Sequence, residues 1–215
     1  MQADAAATSA PGPRRIVGTT GAIAASELIL GGQKSGKSRR AEELARTWLA
    51  TASGRTALLI ATASASDDEM RQRIARHQAD RARRCPAVEL LEEPLAIAQA
   101  LREHSQPQQL LVVDCLTLWL TQLLWPGLFQ REGDAAQRSI ESWPAALEEL
   151  VQAIGAARGP VVLVSNEIGL GVIPMGADVR AFVDALGQVN QAVATACSRV
   201  TLMAAGLPMF MKGTP

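Results

Sequence analysis

Lysine is nearly missing from this chain of 215 residues. Lysine and arginine together number 21, yet only Lys34, Lys37 and Lys212 are lysines. Acidic side chains also number 21, so the formal net charge is zero, and no basic or acidic block stands out. Nothing here would draw in nucleic acid or an anionic membrane surface. Cysteine is scarce too. Cys85, Cys115 and Cys197 are far apart, fit no metal spacing and are odd in number, which reads as reduced thiols in a cytoplasmic chain. Cys115 and Cys197 lie in apolar surroundings and read as buried filler. No apolar run reaches membrane-spanning length. Residues 1–25 are rich in Ala, Ser, Thr, Gly and Pro, and the stretch 16–25 is too interrupted by Gly and Thr to act as a signal-peptide core. They read as a flexible extension.

What remains is an ordinary globular composition, 48% hydrophobic and 20% charged. That length suits one domain with a sizeable core and would cramp two. Apolar runs alternate with amphipathic stretches, the pattern of a mostly parallel sheet flanked by helices in a single α/β domain of residues 26–215. Strands are expected at 28–30, 56–63, 88–91, 110–114 and 161–164, and a final one at 200–204. Helices are expected at 38–50, 66–84, 94–104, 116–125, 145–157 and 178–197, with a loop over 126–133. The helix at 66 opens on Ser66-Asp67-Asp68-Glu69, a capping-box pattern with acids at the positive end of the dipole.

Two of the three lysines fall in one eight-residue loop, Gly31-Gly32-Gln33-Lys34-Ser35-Gly36-Lys37-Ser38. In a chain so biased toward arginine, that placement argues for chemistry that needs an ammonium. The loop lies between a strand and a helix and has the GxxxxGK[ST] spacing. Such a loop wraps backbone N–H groups around a phosphate at a helix N-terminus. Lys37 is then expected at the β/γ-phosphates and Ser38 on Mg²⁺. The fold so defined is P-loop NTPase-like.

Three further positions stand open between a chemical and a structural role. Asp114 ends a buried apolar run, where such folds place a second Mg²⁺-associated acid, and it equally suits an N-cap for the next helix. His77 follows Met70 and Ile74 on one helix face, so it is either a packed core histidine or a reactive one. The other histidine, His104, sits in polar company beside Ser105. Ser165-Asn166-Glu167 passes the end of a buried strand, with Gly169 and Gly171 after it. That is either a close approach to a ligand or a plain glycine turn.

Taken together, the segments GGQKSGKSRRAEELA, DDEMRQRIARHQADR, EEP, VVDCLTLWLTQLLW, VSNEIGLGVIP and VNQAVATACSRVTLMAAGLPMFMK resemble one family, in its order, from Glu27 to Lys212. It is the bifunctional adenosylcobinamide kinase/adenosylcobinamide-phosphate guanylyltransferase family of cobalamin biosynthesis. The resemblance implies phosphorylation of adenosylcobinamide by a nucleoside triphosphate (GTP or ATP), then transfer of GMP from GTP to the phosphate. It implies that His77 carries GMP covalently. It further implies a nucleotide site formed by Gly31 to Ser38, by Ala61, Thr62 and Ala63, by Gln78, Ala79, Asp80 and Arg81, and by Glu92 and Asp114. Mg²⁺ on Ser38 and Asp114 and a homotrimeric assembly complete the expectation. The chain departs from the family in having Lys34 where arginine is common, Arg76 where some relatives have a second histidine, a longer stretch at 82–85, and the N-terminal extension. A monofunctional P-loop kinase would explain the loop and Asp114 but leave His77 and the SNEIGLG segment without a purpose. A regulatory GTPase would need an Asn-Lys-x-Asp motif, which three lysines do not supply. A nucleotide-driven partner subunit would need partner-facing helical arrays, which are not visible in the sequence.

Overall fold

The structure, a computed structural model, describes residues 23–64, 71, 72, 75, 79, 83–125 and 142–214. Seven strands form one sheet: β1 (Ser26–Gly31), β2 (Thr56–Ala61), β3 (Glu89–Glu92), β4 (Gln109–Asp114), β5 (Val161–Val164), β6 (Arg199–Ala204) and β7 (Leu207–Lys212). Their order is β3-β2-β4-β5-β1-β6-β7. All neighbours are parallel except the last pair, β6 and β7. Among the described residues there are five helices: α1 (Lys37–Thr51), α2 (Ile97–His104), α3 (Leu116–Leu124), α4 (Trp143–Gly155) and α5 (Ala177–Ala196). Residues 71, 72, 75, 79, 83 and 84 are helical as well.

The uninterrupted apolar runs follow from burial on both faces of a parallel sheet. Ile29, Leu59, Val112 and Val164 pack on one face against Ala41, Leu44 and Trp48 of α1. Their strand neighbours Leu28, Leu30, Ile60, Val113 and Leu163 pack on the other face with α2 to α5, where Trp119 is almost fully buried. Both tryptophans satisfy their indole N–H: Trp48 donates to Thr56 and Gln108 carbonyls, Trp119 to the Leu95 carbonyl. One buried charge ties β1 to β6. Glu27, 1% exposed, accepts from Arg199 Nη1 at 3.3 Å and Thr201 Oγ1 at 2.8 Å.

The expected final strand is not the last. Ala205 and Gly206 both take positive φ, 51° and 80°, and turn β6 back into antiparallel β7. Two central residues with positive φ make the tight hairpin whose twist suits paired strands. Pro208 is tolerated because β7 lies at the sheet edge. Every residue of β7 is exposed, so it carries no core pattern by which to be recognised. Cys85 and Cys197 are buried as free thiols, and Cys115 is half-buried and packs against the core cluster on the α1 face of the sheet. The expected loop at 126–133 and the capping box at 66–69 lie outside the described residues.

Candidate active site

Parallel strands all end on one edge, and the sheet register lines up the residues there. Ala61 pairs with Glu92 on one side and with Asp114 on the other, and Asp114 pairs with Val164. β1 ends beside them at Gly31, where the chain turns into the glycine loop. Gly31, Gly32, Gln33, Lys34, Ser35, Gly36, Lys37 and Ser38 therefore rise from the centre of this edge and lead straight into α1.

Backbone geometry explains the glycines. At Gly31, φ is 152° and a Cβ would come within 2.5 Å of the Met203 carbonyl oxygen and of Ser35 Oγ. At Gly36, φ is 103° and a Cβ would press on Gly206 Cα at 3.3 Å. Gly206 also donates its N–H to the Ser35 carbonyl at 3.0 Å, so the β6–β7 turn buttresses the loop from behind. Nothing in the sequence pattern pointed to that support.

The start of α1 is built for an anion. Its N-cap, Gly36, makes no side-chain cap, and no acid stands in the first turn. The first N–H groups of the helix and its positive dipole end thus face the loop without a protein partner of opposite charge. Lys37 is buried and donates to the carbonyls of Gly31 at 2.9 Å and Gly32 at 2.7 Å. Burial lowers its pKa, against the opposing pull of Cys115 and Asp114. Burial also pushes the Cys115 thiol up to about 11, so it is neutral at physiological pH and Asp114 supplies the opposing charge. Lys34 and Gln33 are exposed.

Asp114 and Ser38 line one small cavity with Ala41, Glu42, Ala45, Leu59 and Val112. The N-cap of α3 is Cys115, and it makes no side-chain cap, so Asp114 does not cap that helix. The alternative left open by the sequence is removed. A carboxylate and a hydroxyl are hard oxygen donors of the kind Mg²⁺ takes alongside substrate phosphates and water. Among the described residues no group of three or more His, Cys, Asp or Glu could hold a metal by itself.

Thr62 turns inward and serves the fold. Its hydroxyl donates to the Cys115 carbonyl at 2.7 Å and accepts from the Cys115 N–H at 2.8 Å, and its carbonyl accepts from Gln122 Nε2. It locks the ends of β2 and β4 together, leaving Ala61 and Ala63 beside it. Glu92 is exposed at the tip of β3, while its neighbour Glu93 accepts from the N–H groups of Leu95 and Ala96 ahead of α2. Ala79 is helical and exposed. His77, Gln78, Asp80 and Arg81 lie outside the described residues.

Ser165-Asn166-Glu167 is more than a glycine turn. It carries the pairing of β5 with β1 past the end of the strand. Ser165 donates its N–H to the Ile29 carbonyl at 3.0 Å, and Glu167 to that of Gly31 at 3.1 Å. Asn166 donates through its backbone N–H and Nδ2 to Thr117 Oγ1, and Asn190 Nδ2 of α5 donates to the Asn166 carbonyl. Thr117, three residues beyond Asp114, was not singled out by the sequence.

Residues 27–211 match the family model described as cobinamide kinase / cobinamide phosphate guanyltransferase. A curated relative in Pseudomonas aeruginosa, the bifunctional adenosylcobalamin biosynthesis protein CobP, is 47% identical over 190 residues, covering 88% of this chain and 98% of that one. The bifunctional adenosylcobalamin biosynthesis proteins CobU of Escherichia coli and Salmonella typhimurium are 31% and 32% identical. Each alignment covers 86% of this chain and 98% of the relative.

Proposed function

The chain belongs to the cobinamide kinase / cobinamide phosphate guanyltransferase family, and from that premise we propose how its residues divide the two reactions. It is a bifunctional enzyme of adenosylcobalamin biosynthesis, a cobinamide kinase and a cobinamide phosphate guanyltransferase, and both reactions use a nucleotide. The observation that carries the division is the loop of Gly31 to Ser38, with an uncapped helix start and a buried ammonium beside it.

In the first reaction the aminopropanol hydroxyl of adenosylcobinamide attacks the γ-phosphorus of GTP or ATP. Loop N–H groups hold the phosphates, and Lys37 leaves the Gly31 and Gly32 carbonyls to meet the β/γ oxygens. Ser38 and Asp114 would hold Mg²⁺, which when bound neutralises charge on the β- and γ-phosphate oxygens. In the second, a His77 nitrogen attacks the α-phosphorus of GTP and pyrophosphate leaves. A phosphate oxygen of cobinamide phosphate then displaces the imidazole, giving adenosyl-GDP-cobinamide. Ala61, Ala63, Glu92 and the stretch from Gln78 to Arg81 complete the nucleotide site, and both activities belong to residues 26–215. The enzyme works in the cytoplasm as a homo-oligomer, a trimer. Support for association comes from the edge strand β7, where Leu207, Met209 and Met211 are 56%, 55% and 64% exposed. Light scattering checks this: a mass near 22.7 kDa, that of one chain, would exclude it.

The reading is tested by incubating the protein with adenosylcobinamide and nucleoside triphosphate, then with GTP, and identifying each corrinoid product by mass. Phosphorylated product without the GDP adduct would leave a kinase alone. The metal role has its own test in Asp114→Asn, which keeps size and loses charge. Since Asp114 does not cap α3, we expect activity to fall on the order of a hundredfold while the thermal midpoint barely moves. A collapse of stability with normal activity per folded molecule would make the residue structural.

A further inference from the structure

We propose that Glu167 is the catalytic carboxylate of the kinase step, the group that orients the acceptor hydroxyl and takes its proton. This rests on the kinase reading above, which assigns an acceptor but no base. Glu167 and the catalytic lysine share one anchor. The Gly31 carbonyl accepts Lys37 Nζ at 2.9 Å and the Glu167 backbone N–H at 3.1 Å. A lysine in this loop reaches the β/γ end of the triphosphate. A residue pinned to the same carbonyl therefore flanks the end at which transfer occurs.

The other carboxylates near this edge have different work. Asp114 faces Ser38 across their shared cavity. Glu93 holds the turn into α2. Glu42 is bound by two nitrogens of Arg84, at 2.7 and 3.0 Å. Glu92 stands on β3, with β2, β4 and β5 between it and the β1 strand that carries the loop. Glu167 forms no ion pair among the described residues, and its side chain accepts through Oε1 from the Gly169 N–H at 2.8 Å. That contact fixes the carboxylate's position and leaves Oε2 for a ligand. Beyond it the chain is open: Leu170 is 81% exposed and Val172 97%. A bulky acceptor can reach the carboxylate from that side.

The step balances simply. The acceptor oxygen bonds to the γ-phosphorus, and the bond from that phosphorus to the β–γ bridging oxygen breaks. The nucleoside diphosphate leaves with the electron pair, and the hydroxyl proton passes to Glu167 and on to water. Proton transfer to a positioned carboxylate contributes on the order of a hundredfold to ten-thousandfold.

Glu167→Gln and Glu167→Asp in the full chain test this. Glutamine still offers an oxygen to the Gly169 N–H, so the turn is kept while the base is lost. We expect kcat for adenosylcobinamide phosphorylation to drop by about a hundredfold or more in Glu167→Gln. The KM for nucleotide and the affinity for a fluorescent nucleotide analogue should stay at the wild-type level, and Glu167→Asp should recover part of kcat. An unchanged kcat beside an active wild type would overturn this proposal alone. So would a fall in nucleotide affinity that accounts for the whole loss, since it would make Glu167 a support of the loop. A wild type unable to phosphorylate adenosylcobinamide would overturn the kinase reading and this proposal with it.

Discussion

A Lys37→Ala chain is expected to fold normally and to lose kinase turnover, on the order of a hundredfold or more. The two halves of that expectation have separate causes. Lys37 is a buried cation whose described hydrogen bonds go to the carbonyls of Gly31 and Gly32. Removing it deletes a charge whose burial already disfavours ionisation, so the cost to the fold is small. The Gly31 carbonyl keeps the Glu167 N–H at 3.1 Å, and Gly32 is exposed, so water can replace the ammonium at its carbonyl. Turnover is another matter, because charge spreads over the γ-phosphoryl oxygens as transfer proceeds, and a fixed ammonium in a half-dry site offsets it strongly. Lys37→Arg should not rescue the enzyme. A planar guanidinium is not a compact ammonium that one pair of adjacent carbonyls can hold at 2.9 and 2.7 Å, and the chain's preference for arginine elsewhere makes the retained lysine the more telling. Near-normal turnover in purified, folded Lys37→Ala would remove the loop from the phosphate site.

The strands that hold the site could be read from sequence because burial on both faces leaves runs such as 110–113 without a polar interruption. Observed boundaries differ by one or two residues at most termini, as at β1, where Ser26 and Glu27 begin the strand. Those two polar residues hid the start. Glu27 is tolerated at 1% exposure because Arg199 and Thr201 meet it from β6, about 170 positions away. No local pattern carries a pairing of that range. β7 was invisible for the opposite reason: it buries nothing, and its turn is Ala-Gly rather than one of the stronger hairpin pairs. At the site, residue type located the loop and Asp114 correctly on the sheet edge. It did not settle whether Asp114 capped α3, since capping depends on where the helix begins, and Cys115 fills that position. Nor did it reveal Glu167's tie to Gly31, which needs β5 to lie beside β1.

His77→Asn is expected to abolish guanylyl transfer and leave phosphorylation of adenosylcobinamide intact. The reason lies in what each reaction asks of the protein. Phosphoryl transfer to an alcohol needs positioned phosphates, charge stabilisation and a proton acceptor, the roles proposed above for Lys37, Ser38, Asp114 and Glu167, none of which is a covalent carrier. Guanylyl transfer through the protein needs a nucleophile that forms a bond to phosphorus and later leaves. The sequence offers two histidines, and His104 ends α2, a helix whose start lies beyond β3 and whose C-terminal end is remote from that edge. Asparagine is polar and of similar reach but forms no phosphoramidate, so labelled GTP should leave no acid-labile, base-stable GMP on the variant. Persisting label would place the nucleophile elsewhere and favour the other reading of the sequence, a core histidine in line with Met70 and Ile74. Loss of both activities together with the fold would say the same. Selective loss of the second activity, with the first measured on the same preparation, is the result that assigns His77 to the covalent step.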